Sequence, residues 1–134
     1  MDWKLEVVVV PVSDVDRAKQ FYAEQVGFAV DVDTRIGEHG RVVQLTPPGS
    51  ACSISFVTGL GDQGMASGSI KGLQLVVDNI EAARAHLIER GVEASPIRHV
   101  DDGKWVDGPG GPWNTFLFFS DPDGNAWTVQ ERPQ

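Results

Sequence analysis

The sequence predicts an α+β fold in which two βαβββ modules follow one another within a single domain of residues 1–134. Three observations predict this fold. A strand followed by a capped helix occurs twice at the same spacing, three shorter β-like runs follow each helix, and 134 residues suffice for one core. The first module covers about residues 1–60 and the second about residues 70–134.

The first module begins with a β-branched run over residues 6–12, which is typical of a strand. Ser13 is expected to cap the next helix, because its hydroxyl can accept an N–H group of the first turn, and Asp16 suits the capping box. Apolar residues then recur at helical spacing as far as Tyr22. Gly27 is expected to end the helix in the left-handed conformation.

The second module repeats this arrangement. Its first strand is predicted over residues 73–77, Asp78 is the expected helix cap, and Gly91 is the expected helix end. The spacing between Val12 and Val77 equals that between Val15 and Ile80, so strand and helix recur in register.

Shorter β-like runs follow each helix, separated by turns rich in Pro, Gly and Asn. The predicted strands are residues 28–33, 41–46 and 52–57 in the first module and 92–98, 115–120 and 126–130 in the second. A long loop is predicted from His99 to Asn114. It contains Trp105 and Trp113, whose flat indole rings suit stacking on a planar ligand.

The composition excludes several classes of partner. The net charge is −8, and no run of Lys or Arg offers the basic surface that nucleic acid requires. No apolar stretch approaches the about 20 residues needed to cross a bilayer, so no membrane role is expected. The N-terminus lacks a secretion signal and the single Cys52 cannot form an internal disulfide, which favours the cytoplasm.

No cofactor is expected. The segment Gly59–Gly64 formally matches a dinucleotide-binding fingerprint, but the residues after it lack the apolar period of the helix that would hold the pyrophosphate. We interpret it as part of a linker between the modules.

The chain resembles the vicinal oxygen chelate superfamily, which includes glyoxalases, bleomycin resistance proteins and extradiol dioxygenases. The resemblance covers nearly the whole chain and rests on the segments 10–18, 21–22, 26–28 and 121–125. It implies two βαβββ modules whose sheets curl around a shared cup. Catalytic members usually hold one divalent metal through a His near the start of each module's first strand and a Glu, Gln or His on its last strand.

In this sequence the positions that match those metal ligands are Val7, Ser53, Gly72 and Thr128. These side chains supply neither imidazole nor carboxylate, so no metal site of the family type is expected. Glu6, Gln74, Gln130 and Glu131 lie one or two positions away, and a shift of strand register would bring a different side chain to the same face.

The leading functional hypothesis is metal-independent binding of a small, aromatic organic molecule in the cup, as the resemblance to drug-sequestering resistance proteins implies. The resemblance also implies a homodimer, and the acidic chain would tolerate a cationic ligand. The candidate ligand-binding residues are Val7, Gln44, Ser53, Gly72, Trp105, Trp113 and Thr128.

Two alternatives remain. The chain could be a glyoxalase-like lyase or isomerase, either with a shifted metal site or with a metal-free mechanism that uses His99, Asp101 or Asp102 as acid or base. It could also be an interaction or dimerisation module with no small ligand.

Overall fold

The computed structural model describes residues 1–60 and 64–134. Backbone contacts divide the chain into two compact units. The first comprises Met1–Ile70 and Asp121–Asn125, and the second comprises Lys71–Ser120 and Ala126–Gln134. The segment Gly59–Gly64, rejected above as a dinucleotide site, includes residues 61–63 and therefore lies partly outside the described residues.

The first unit contains one helix and a four-stranded sheet. Its elements are β1 (Val7–Val9), α1 (Val15–Gln20), β2 (Ala29–Ile36), β3 (Gly40–Thr46) and β4 (Ser53–Thr58). The strand order is β1-β4-β3-β2, with β1 parallel to β4 and the other pairs antiparallel. The helix continues as a π-helical turn over Phe21–Val26 and ends at Gly27, whose φ of 100° confirms the predicted left-handed residue.

The core of the first unit is built around Tyr22, which is fully buried. Its ring lies 5.0 Å from Phe21, 5.7 Å from Phe28 and 5.5 Å from Phe56, measured between ring centroids. Because a buried hydroxyl needs a partner, the Tyr22 hydroxyl donates to Asp121 Oδ2 at 2.8 Å.

The second unit has the same arrangement with one additional strand. Its elements are β5 (Leu73–Val77), α2 (Ile80–Glu89), β6 (Arg98–Asp101), β7 (Lys104–Asp107), β8 (Phe116–Ser120) and β9 (Ala126–Glu131). The strand order is β5-β9-β8-β6-β7, and β5 is parallel to β9. The predicted α+β class with two strand–helix–sheet modules is confirmed. No helix within the described residues is both long and apolar enough to cross a membrane.

Both predicted helix caps are wrong by one residue. Asp14 accepts from the Arg17 N–H at 3.1 Å, and Asn79 accepts from the Ala82 N–H at 3.0 Å. The residues first proposed have other partners: the Ser13 hydroxyl donates to Asp123 Oδ1 at 2.6 Å, and Asp78 pairs with Arg132. In each case the next residue supplies the cap.

The strand predicted over residues 92–98 is also wrong, because the strand begins only at Arg98. Pro96 has no N–H to donate to a ladder. Ser95, three residues before the strand, also joins this segment to β8. Its N–H donates to the Phe118 carbonyl and its hydroxyl accepts from the Phe118 N–H, both at 2.9 Å.

A charge network links α1, β2 and β3. Arg41 makes a bidentate contact with Asp33, from Nε to Oδ1 at 3.0 Å and from Nη2 to Oδ2 at 2.9 Å, and also donates to Asp16. Lys19 donates to Asp33 Oδ2 at 2.7 Å. The hydrogen bonds from Arg41 and then Lys19 hold the pKa of the Asp33 carboxyl well below its ordinary value.

We predict that Asp33→Asn lowers the melting temperature at pH 7, because the variant loses a carboxylate shared by two cations. Since the folded-state pKa of Asp33 is depressed, its contribution is present above about pH 4, the ordinary carboxyl pKa, and is lost as the pH falls below it. The difference in melting temperature between wild type and variant should therefore shrink as the pH is lowered from 7 to 2. Asp2→Asn, at an exposed site near the N-terminus, is the control. A difference that is unchanged at low pH would contradict this assignment.

Candidate functional site

The sheet of the second unit has one buried face and one open face, because side chains alternate along β8 and β9. Leu117, Phe119, Trp127 and Val129 are buried on the face that packs against α2. The predicted core position of Trp127 is confirmed, and its ring stacks on Phe119. The alternate residues on the opposite face are half-buried: Phe116, Phe118, Thr128 and Gln130.

An aromatic cluster occupies this open face. The Trp105 ring packs edge-on against Phe116 at 5.4 Å and against Phe118 at 5.0 Å between centroids, with interplanar angles of 88° and 85°. Trp105 nevertheless remains 51% exposed. We call Trp105, Phe116 and Phe118 the aromatic platform. It is an apolar surface whose rings, set nearly at right angles, hold one another in place, and the exposed part of the Trp105 ring is its flat element.

The location of Trp105 differs from the sequence prediction, which put it in a loop. Residues 98–107 form a hairpin, β6 with β7, joined at Asp102-Gly103. Both residues of this turn have positive φ, 51° and 73°, as a two-residue hairpin turn requires. The dipeptide Asp-Gly between two short β-like runs is the sequence signal that could have revealed the hairpin.

A row of polar side chains borders the aromatic platform. Register pairs Thr128 with Phe118 on one side and with Gln74 on the other. Gln74 Nε2 donates to Gln130 Oε1 at 2.8 Å, and Gln130 Nε2 donates to the Trp113 carbonyl at 2.8 Å. We call Gln74, Thr128 and Gln130 the polar row. Its amide and hydroxyl groups can orient a ligand through hydrogen bonds.

Trp113 lies in the loop after the hairpin, and its carbonyl accepts from Gln130 of the polar row. Its φ of 60° is unusual for a residue other than glycine and costs on the order of 1 kcal/mol. The next residue, Asn114, holds the loop by accepting from the Val100 N–H at 2.8 Å and donating to the Val100 carbonyl at 2.9 Å. Trp113 borders a separate surface cavity of about 210 Å³, together with Glu131 and Arg132.

In the first unit the structure brings three predicted site residues onto one sheet face. Register pairs Val7 directly with Ser53, and Gln44 with Ser55, which lies two residues beyond Ser53 on the same face. The Ser53 hydroxyl lies 2.7 Å from the Thr46 hydroxyl, which also hydrogen-bonds Asp31. Gly72, in contrast, precedes β5 and is exposed.

The candidate acid and base residues lie away from the aromatic platform. Register pairs His99 with Val106, so its ring projects from the strand face opposite to Trp105. His99 Nδ1 is 2.8 Å from the Gly108 carbonyl oxygen. Asp101 and Asp102 are exposed at the tip of the hairpin.

The residues at the family's metal positions do not fit a divalent ion. Val7 and Gly72 offer no donor, and Ser53 and Thr128 offer only neutral hydroxyls. Within residues 1–60 and 64–134, no group of three His, Cys, Asp or Glu side chains is placed to hold a metal ion. Gln74 and Gln130, which lie two residues from Gly72 and Thr128, are hydrogen-bonded to each other through their side-chain amides.

Sequence reasoning missed most of the open face: Phe116 and Phe118 were not considered, and Gln74 and Gln130 were named only as alternatives for metal ligands under a shifted register. In the segment Phe116-Leu117-Phe118-Phe119 every residue is large and apolar, so both faces of the strand are apolar. A strand of this kind is expected to make apolar contacts on each face. This pattern was the available signal for an aromatic binding face.

Comparison with known proteins agrees with this architecture. A model of the Glyoxalase/Bleomycin resistance protein/Dioxygenase superfamily matches residues 4–129. The structure is similar to that of TnmS3, an antibiotic binding protein from Streptomyces sp. CB03234, at 37% identity and a TM-score of 0.78 over 98% of each chain.

Two further solved structures are similar. A glyoxalase/bleomycin resistance protein from the same Streptomyces strain is 38% identical, with a TM-score of 0.73 over 95% of this chain and 99% of that one. A superfamily member from Sphaerobacter thermophilus DSM 20745 is 26% identical, with a TM-score of 0.76 over 98% of each chain. The chain therefore belongs to the Glyoxalase/Bleomycin resistance protein/Dioxygenase superfamily.

Proposed function

We propose that this protein binds a small, planar aromatic molecule on the aromatic platform, without a metal ion. The main support for this proposal is the half-exposed Trp105 ring, which packs edge-on against Phe116 and Phe118. Exposing a large indole to water is unfavourable, and covering it with a ligand ring would recover this cost.

The polar row would provide orientation. Thr128 lies beside Phe118 in register, and the Gln74–Gln130 amide pair continues the row along the sheet. A ligand whose rings cover the aromatic platform would bring its edge substituents within reach of these groups. Binding sites for small molecules commonly combine an apolar surface with a few such polar groups.

The proposal of metal independence rests on the donor set. Amides, hydroxyls and aliphatic groups can hold and orient a ligand, but none of them supplies the Lewis acid that family members use to polarise an oxygen. The likeness to TnmS3, an antibiotic binding protein, supports a role in binding and sequestration.

We predict that Trp105→Ala weakens binding of the neutral fluorescent probe N-phenyl-1-naphthylamine about tenfold or more, because the variant loses its main stacking surface. Probe fluorescence titration measures the affinity. Trp3→Ala is the control, since Trp3 is 87% exposed. Addition of EDTA should leave the affinity unchanged.

Equal affinity for wild type and Trp105→Ala would locate the binding elsewhere and contradict the proposal. Circular dichroism of both variants checks that the fold is retained. A loss of binding on addition of EDTA would contradict metal independence and favour the enzyme alternative.

We also propose that the protein is a cytoplasmic homodimer. The edge strand β2 exposes Val30, Val32 and Ile36, and an exposed apolar edge strand favours association.

The single cysteine, which cannot form an internal disulfide, fits a reducing compartment, and cell fractionation tests the location.

Sedimentation velocity at micromolar concentration should give twice the mass of one chain, and Val32→Lys should shift the equilibrium towards the monomer because it places a charge on the apolar edge. A monomeric wild-type protein over the same concentrations would contradict the dimer.

A further inference from the structure

The open face of the second unit also carries a cation. Register pairs Arg98 with Phe116 across β6 and β8, so both side chains project from the same face as Trp105. The arginine therefore stands at the end of the aromatic platform, beside the surface on which a ligand ring would lie.

Most of the hydrogen-bonding capacity of Arg98 is unused. Its Nε donates to Asp107 Oδ1 at 3.2 Å. Its two Nη groups have no hydrogen-bond partner within residues 1–60 and 64–134, and the side chain is 38% exposed. A guanidinium offers five donors in a planar fork, and Nε uses one of them here.

The contact with Asp107 is weak and replaceable. The Asp107 side chain is 80% exposed, and exposed ion pairs of this kind contribute little because water screens them. Asp107 is the charged neighbour of Arg98 on the open face, and the other neighbouring positions named by register are uncharged: Gln74, Val76, Val100, Thr128 and Gln130. Arg98 is thus the local positive charge in a chain whose net charge is −8.

We propose that the ligand carries an anionic group, such as a carboxylate or sulfonate, which the Nη groups of Arg98 bind while the attached ring system covers the aromatic platform. This inference rests on the proposed function and specifies its ligand class. It differs from the cationic ligand that the acidic chain would tolerate, because a local guanidinium contacts the ligand directly whereas net charge acts at a distance.

A matched pair of probes tests the inference. N-phenyl-1-naphthylamine and 1-anilinonaphthalene-8-sulfonate share their ring system, and only the second carries a sulfonate. We expect Arg98→Gln to weaken binding of the sulfonated probe about tenfold while changing the affinity for the neutral probe less than about twofold. Asp107→Asn should strengthen binding of the sulfonated probe, because it frees the guanidinium, and added salt should weaken it in the wild type.

The outcomes separate the two proposals. If the neutral probe binds through Trp105 but Arg98→Gln leaves the sulfonated probe unaffected, or weakens both probes equally, the anionic ligand is wrong and the proposed function stands. If the neutral probe binds and the sulfonated probe does not, the anionic ligand is also wrong. If neither probe binds, both proposals fail.

Discussion

The alternation of side chains along β8 and β9 is the constraint on which the candidate site depends. Burial of Leu117, Phe119, Trp127 and Val129 against α2 fixes the register of the two central strands, because a shift of one residue would expose this whole set to water. The same register then forces Phe116 and Phe118 onto the open face. Fold stability and the aromatic surface therefore have a single cause, and truncation of Trp127 to Ala would be expected to cost about 3–5 kcal/mol.

The hairpin of β6 and β7 completes the site by bringing Trp105 over those phenylalanines. The turn at Asp102-Gly103 sets which residues of the hairpin face the platform, so Arg98 and Trp105 share a face while His99 projects from the other. This geometry favours binding over acid–base chemistry, because the residues with suitable protons lie off the face that carries the aromatic surface. The residues at the family's metal-binding positions also favour binding, because the side chains of Val7 and Gly72 offer no metal-ligand atoms.

The sequence predicted the α+β class, the repeated module and the family. These depend on the spacing of strands and helices and on the turn residues between them, which are visible in the sequence itself. It did not predict the β6–β7 hairpin or the exact helix caps. The caps were mispredicted because the expected cap residues have other partners: Ser13 bonds to Asp123, and Asp78 pairs with Arg132. Both partners are distant in sequence, so local spacing does not reveal them. The open face was missed because its members come from five strands, and their convergence requires the sheet order, which spacing alone does not determine.

Whether the open face of this sheet binds the ligand can be measured by following the four tryptophan indole N–H signals in ¹⁵N-correlated spectra during titration with N-phenyl-1-naphthylamine. Single Trp→Phe variants assign the signals. We predict that the Trp105 signal shifts in proportion to occupancy. The signals of Trp3, which is exposed, and of Trp127, which is 3% exposed on the opposite face, should stay in place. Saturable binding that leaves the Trp105 signal unmoved would show that the ligand binds elsewhere.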